Sequence, residues 1–190
     1  MDIENINQQF KAENFTSKTL TKHSFLDCTF LNCNFTETNL EETKFCCCQF
    51  KNCNLSLVKI AGGRFQDVNF IDSKIVGGEF FKCDKRFFSL NFKNCTLQYC
   101  NFSDLSMKSV QILDSRVKEC HFSNTCLISA DFNGTDFSGT LFHCCDLSKA
   151  DFSKAFRYAI DIQTNNIKKA KFSLPEAISL LKGLDISIMD

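Results

Sequence analysis

The 13 cysteines and three histidines are the residues of this 190-residue sequence with the most specific chemistry. Cys46-Cys47-Cys48 and the set Cys120-His121 with His143-Cys144-Cys145 offer thiolates and imidazoles for a metal ion, or thiols for redox exchange. Zinc sites prefer short C-x-x-C spacings that gather four ligands at one point. Cys28, Cys33, Cys48, Cys53, Cys95, Cys100, Cys120 and Cys145 instead fall in a five-residue register that shifts once. That spacing predicts compact apolar fillers, with no metal and no cofactor. No G-x-S-x-G, phosphate-cradling glycine loop or paired carboxylates in a pocket-forming context is present, so the reading is not an enzyme.

The register that holds the cysteines extends over most of the chain. A large apolar residue stands at every fifth position from Phe10 to Phe80, through Phe15, Leu20, Phe25, Phe30 and onward. The text FKCDKR at 81–86 then slips the register by two, and large residues resume at Phe87, Phe92, Leu97 and Phe102, ending at Phe152. A period of five fits neither the 3.6 of a helix nor the 2.0 of a strand, so the chain must turn a corner once per pentad.

If each pentad is one side of a square coil, residues 20 apart should stack. Phe10, Phe30, Phe50 and Phe70 form one such column, Phe25, Phe45 and Phe65 a second, and Phe102, Phe122 and Phe142 a third. The expectation is an all-β solenoid of roughly seven coils with phenylalanine columns inside. The position two before each large residue should also face inward and be small. The cysteines above occupy it, as do Thr38, Thr43, Val58, Gly63, Ser73, Gly78, Ala130, Thr135, Thr140 and Ala150. Proline would interrupt backbone pairing between coils, and the single proline, Pro175, lies beyond the last pentad.

Residues 1–155 therefore read as a solenoid with one slip, and 156–190 as a separate C-terminal segment. There Ser173 and Glu176 make an S-x-x-E capping box around Pro175, and Leu174, Ala177, Ile178 and Leu181 follow helical spacing up to Gly183. The 22 basic and 22 acidic residues leave no net charge to steer the chain toward nucleic acid or an anionic membrane. The polar residues 1–9 and the lack of any long apolar run predict a soluble, cytoplasmic protein.

Segments such as ADFNG (130–134), TDFSG (135–139), CDLSK (145–149) and ADFSK (150–154) resemble the A(D/N)LXX consensus of the pentapeptide-repeat family. The resemblance implies a right-handed quadrilateral β-helix. The C-terminal text KGLDISIMD after a leucine-rich helix is similar to the dimerisation tail of the Qnr and MfpA members, which mimic duplex DNA and bind DNA gyrase and topoisomerase IV. It implies a homodimer formed through Leu174, Ile178, Leu181, Leu184, Ile186 and Ile188. It also implies a type II topoisomerase as partner, with modulation of its activity or of fluoroquinolone sensitivity.

For a DNA mimic the sequence should carry a run of acid. From Glu119 to Leu147 the ionised groups are Glu119, Asp131, Asp136 and Asp146, with no Lys or Arg, and Asp151 follows. Over about 1.5 coils this is roughly one charge per 1.8 Å, close to duplex DNA. These five residues are the expected partner-binding stripe. Lys51, Lys59, Arg64, Lys74, Lys82, Lys85, Arg86 and Lys93 make the middle of the chain mixed in charge, and the slip is its only interruption, with no long inserted loop. The competing reading is an interaction scaffold with an unrelated protein partner.

Overall fold

A computed structural model describes residues 3–184 and Ile186. The chain winds as a parallel β-solenoid of about eight turns with a short 3-10 helix, Glu176–Leu184, at its C-terminal end. Each turn has four sides. The first side begins with the paired strands Glu4–Ile6, Ser24–Leu26, Lys44–Cys46 and Arg64–Gln66. The second carries the six-stranded sheet Gln9–Lys11, Thr29–Leu31, Gln49–Lys51, Val68–Ile71, Leu90–Lys93 and Ile112–Leu113. Lys74–Val76, Thr96–Gln98 and Arg116–Lys118 pair on the third side, and His121–Ser123, Leu141–His143 and Ala159–Ile160 on the fourth.

The predicted columns form. Rings of Phe10, Phe30, Phe50, Phe70 and Phe92 stack with centroids 4.9, 4.6, 5.0 and 5.2 Å apart. Phe25, Phe45 and Phe65 do likewise, as do Phe80, Phe102, Phe122 and Phe142. The ring spacing is close to the separation of hydrogen-bonded strands, so within a column the rings lie nearly parallel. Between columns they meet edge-on, as at Phe25–Phe30, 73° apart. The interior is filled: a void of about 10 Å³ among Leu40, Phe45, Phe50 and Phe65 has no room for a ligand.

Most corners place one residue in the left-handed region, with φ between 50° and 74°. Few of these are glycine. Asn and Asp fill many of the rest, because their short polar side chains tolerate that conformation. Gly134 is one corner where glycine is required on two counts, since φ is +74° and a Cβ would lie 2.2 Å from Asp114 Oδ1.

The small inward position does more than fill space. Where it is Thr, Ser or Cys, its side chain commonly donates to the carbonyl of a central residue in the preceding coil. Thr38 Oγ1 donates to Phe15 O at 2.8 Å, Thr43 Oγ1 to Leu20 O at 2.7 Å, and Cys48 Sγ to Phe25 O at 3.4 Å. Cys83, assigned no inward role from the repeat, joins this set: it is buried and donates to Ile60 O at 3.5 Å. It had been hidden inside the slip, where no pentad centre follows it.

The structure corrects the reading at the slip. Phe87 is 66% exposed with φ 70°, and Phe88 is the ring that turns inward. The pairing register changes there from 20 to 22 residues, since Val68 lies against Leu90 and Phe70 against Phe92. A second, unforeseen detour has the same construction. Arg157, where a pentad centre would fall, has φ 56°, Tyr158 takes the inward place, and Phe142 pairs with Ile160, 18 residues on. In each detour the left-handed residue swings its own side chain out and delivers the next aromatic to the core. Each is pinned by an arginine–carboxylate pair, Asp84 with Arg64 and Arg86, and Asp136 with Arg157.

The winding also continues past residue 155, the boundary read from the pentads. Asp146 bridges Asn166 and Asp151 bridges Lys171, while Phe172 stacks on Phe152 at 5.2 Å. Asn165 replaces the small inward residue and donates from Nδ2 to Phe142 O at 3.0 Å. An amide in place of Cys or Thr, and a spacing broken at Arg157, concealed this last turn. Of the expected capping box, Glu176 accepts instead from the Arg157 backbone N–H at 3.2 Å, so the segment is tied back to the second detour.

Candidate functional site

The winding distributes the five expected partner-binding carboxylates over three sides and a corner. Asp131 and Asp151 stack on the second side, Asp136 bridges Arg116 on the third, and Asp146 bridges Cys126 on the first. Glu119 lies at the corner after the third side. They form no stripe. A linear count of charge fails because a side chain's neighbours across coils come from 20 residues before and after it, not from the same pentad.

Those neighbours also neutralise part of the acid. Asp136 is 2% exposed, and its Oδ2 accepts from Arg157 Nη2 at 2.5 Å. Asp151 Oδ2 accepts from Lys171 Nζ at 3.0 Å. Burial pulls the Asp151 carboxyl upward, but the Ser153 hydroxyl and backbone N–H together with the Lys171 ammonium outweigh it and hold the group at about 2. Asp146 Oδ1 accepts from Asn166 Nδ2 at 3.0 Å.

Four of the five share a local duty. One oxygen of Asp131, Asp136, Asp146 and Asp151 accepts the backbone N–H two residues on, from Asn133, Ser138, Ser148 and Ser153, at 3.0 to 3.1 Å. This is an Asx turn, and it shapes the corner. Asn14, Asn34 and Asn54 do the same for Thr16, Thr36 and Ser56. The aspartates at this place in the pentad are therefore turn-formers first. Only on Asp131 and Asp146 is the second oxygen without a hydrogen-bond partner among the described residues.

At the C-terminal end, Leu174 is 79% exposed, and Ile178, Leu184 and Ile186 are exposed as well. Leu181 is half-buried, and Leu180 packs against the core. Ile188 lies outside the described residues. The exposed side chains form an apolar end to the rod next to the last turn.

The cysteines gather no metal site: among the described residues no three His, Cys, Asp or Glu side chains converge to hold an ion. Burial pushes the thiols of Cys48, Cys53 and Cys83 up to about 12 and that of Cys95 to about 11, which suppresses thiolate chemistry. Cys47 and Cys144 are the exposed ones. No described helix is long and apolar enough to cross a membrane.

The pentapeptide-repeat family profile matches residues 24–60, 33–72 and 120–156. With the four-sided winding, this makes the chain a pentapeptide-repeat protein. Its fold is similar to that of QnrB1, a plasmid-mediated fluoroquinolone resistance protein. The full-length QnrB1 structure is 19% identical, covering 96% of this chain and 100% of that one with a TM-score of 0.63. A trypsin-treated QnrB1 variant is 18% identical, covering 100% and 99% with a TM-score of 0.67. No curated protein sequence matches the chain.

Proposed function

We propose that this protein is a non-catalytic binding rod that docks on a type II topoisomerase, DNA gyrase or topoisomerase IV, and alters its activity or its sensitivity to fluoroquinolones. The observation that carries this reading is the end-to-end likeness to QnrB1, which spans nearly all of both chains. The exposed apolar end at Leu174, Ile178, Leu184 and Ile186, with Leu181 beside it, supports a homodimer joined there, as apolar surface of that kind favours self-association. The carboxylates available to the enzyme are Asp131, Asp146 and Glu119, which have no ion pair among the described residues.

The dispersal of those carboxylates over the sides favours a second reading, a scaffold that presents mixed-charge faces to an unrelated protein partner. Titration into a gyrase supercoiling assay, with and without a fluoroquinolone, separates the two. Inhibition or drug rescue at micromolar protein supports the topoisomerase reading, and its loss in an Asp131→Lys variant would place the contact on the second side. Absence of any effect in both formats leaves the scaffold.

A further inference from the structure

The second side carries an outward pattern that neither reading uses. Immediately after each central phenylalanine or isoleucine comes an outward residue, and up the six-stranded sheet these are Lys11, Leu31, Lys51, Ile71, Lys93 and Leu113. Cation and aliphatic alternate without a break. The pairing register places them in one column, Lys11 against Leu31, Leu31 against Lys51, Lys51 against Ile71, Ile71 against Lys93 and Lys93 against Leu113. The three lysines are exposed and have no ion-pair partner among the described residues, while the three aliphatics between them are half-buried. Of the corner acids beside the column, Asp72 is engaged by Asn94 Nδ2 at 2.6 Å.

A parallel column of polar side chains, amides except for Thr29, runs along the other edge of the same strands, with Asn91 Nδ2 donating to Asn69 Oδ1 at 3.2 Å. Between the columns lies a shallow groove of about 280 Å³, floored by Phe70 and Phe92.

We propose that this side is a docking surface for an acidic amphipathic α-helix of a partner protein, laid along the rod. The argument is spacing and charge. Coils repeat at about 4.8 Å, so the lysines recur roughly every 9.6 Å with an aliphatic residue midway. A helix with acidic residues at i and i+7 presents them about 10.5 Å apart, with its i+3 and i+4 side chains about 5 Å along. From Lys11 to Lys93 the rod advances about 19 Å, against about 21 Å for two heptads, a mismatch within the reach of a lysine side chain. Each Glu then meets a lysine, each Leu meets an aliphatic side chain, and the amides line the flank. A nucleic-acid strand fits poorly, because its phosphates are more closely spaced than these cations and no exposed aromatic on this side offers a stacking surface.

The test uses the full chain and a fluorescein-labelled, capped peptide of about 21 residues, helical by composition, with Glu every seventh position and Leu at the i+3 and i+4 places between. At low ionic strength, anisotropy should report saturable binding that weakens at least about tenfold in the Lys51→Glu, Lys93→Glu double variant. Ile71→Ser should weaken it severalfold. Both lysines are exposed, so the double variant should keep the circular-dichroism spectrum and melting point of the parent. A scrambled peptide of equal composition binding as well, tighter binding of a single-stranded oligonucleotide of equal charge, no loss in the double variant, or no binding to the parent would each overturn the proposal. None of these readouts depends on a topoisomerase.

Discussion

Replacing Asp136 tests whether the structure or the linear sequence describes that carboxylate. As a docking residue it would be dispensable for folding, and its loss would leave the melting point unchanged. In the structure its side chain is 4% exposed and does three things: Oδ1 accepts from Ser138 N at 3.0 Å and Ser138 Oγ at 2.7 Å, and Oδ2 holds Arg157. Alanine strands the Ser138 backbone N–H at a half-buried corner, which costs toward the low end of about 1–3 kcal/mol. It also releases Arg157 from the second detour. Breaking a fully buried pair costs about 3–5 kcal/mol, but the Arg157 side chain is 58% exposed and regains water, so its share falls well below that. A total of about 2–4 kcal/mol follows, or a drop in melting temperature of roughly 4–16 °C for a chain of this size. Thermal melts by circular dichroism of parent, Asp136→Ala and Asp136→Asn read this directly. Asparagine keeps the turn acceptor and loses only the charge, so it should fall between the other two. An Asp136→Ala protein that melts within about a degree of the parent would refute the assignment.

Three further outcomes are expected. Asp151 sits at about 2 in the folded protein, below its ordinary value of 3.8, so its contribution to stability is present above pH 4 and lost as pH falls through 2. Asp151→Asn should therefore narrow the gap between melts at pH 5 and near pH 2, and an unchanged gap would contradict the Lys171 and Ser153 contacts. Thiol labelling of the native protein should be fast at Cys47 and Cys144 alone, with the buried cysteines reacting only after denaturation; rapid native labelling of Cys48, Cys53 or Cys95 would contradict their burial. Ending the chain after Phe172 should leave a folded rod that light scattering finds monomeric, whereas ending it after Ile167 also removes Lys171 and the Phe172 ring stacked on Phe152 and should lower the melting point by several degrees. A dimer persisting after the Phe172 truncation would move the interface off the C-terminal end.

The five-residue recurrence of large residues was enough to specify the solenoid, its four sides, the phenylalanine columns and the inward place of Cys28, Cys48, Cys95 and their equivalents. This is because in a solenoid each side chain's environment depends on a position within a short repeat, and that position is written in the residue types. The sequence showed the first detour only as a slip in count. It could not show that Phe88 and not Phe87 turns inward, since that choice belongs to a left-handed backbone at residue 87, nor that Arg157 and Tyr158 repeat the device. The charged surface was legible least of all. Glu119, Asp131, Asp136, Asp146 and Asp151 are consecutive acids in the text, but the winding spreads them over three sides and a corner and sets Arg157 and Lys171 against two of them. Inward positions are determined by the pentad alone, whereas an outward face is assembled from residues 20 apart, and only the folded coil brings those together.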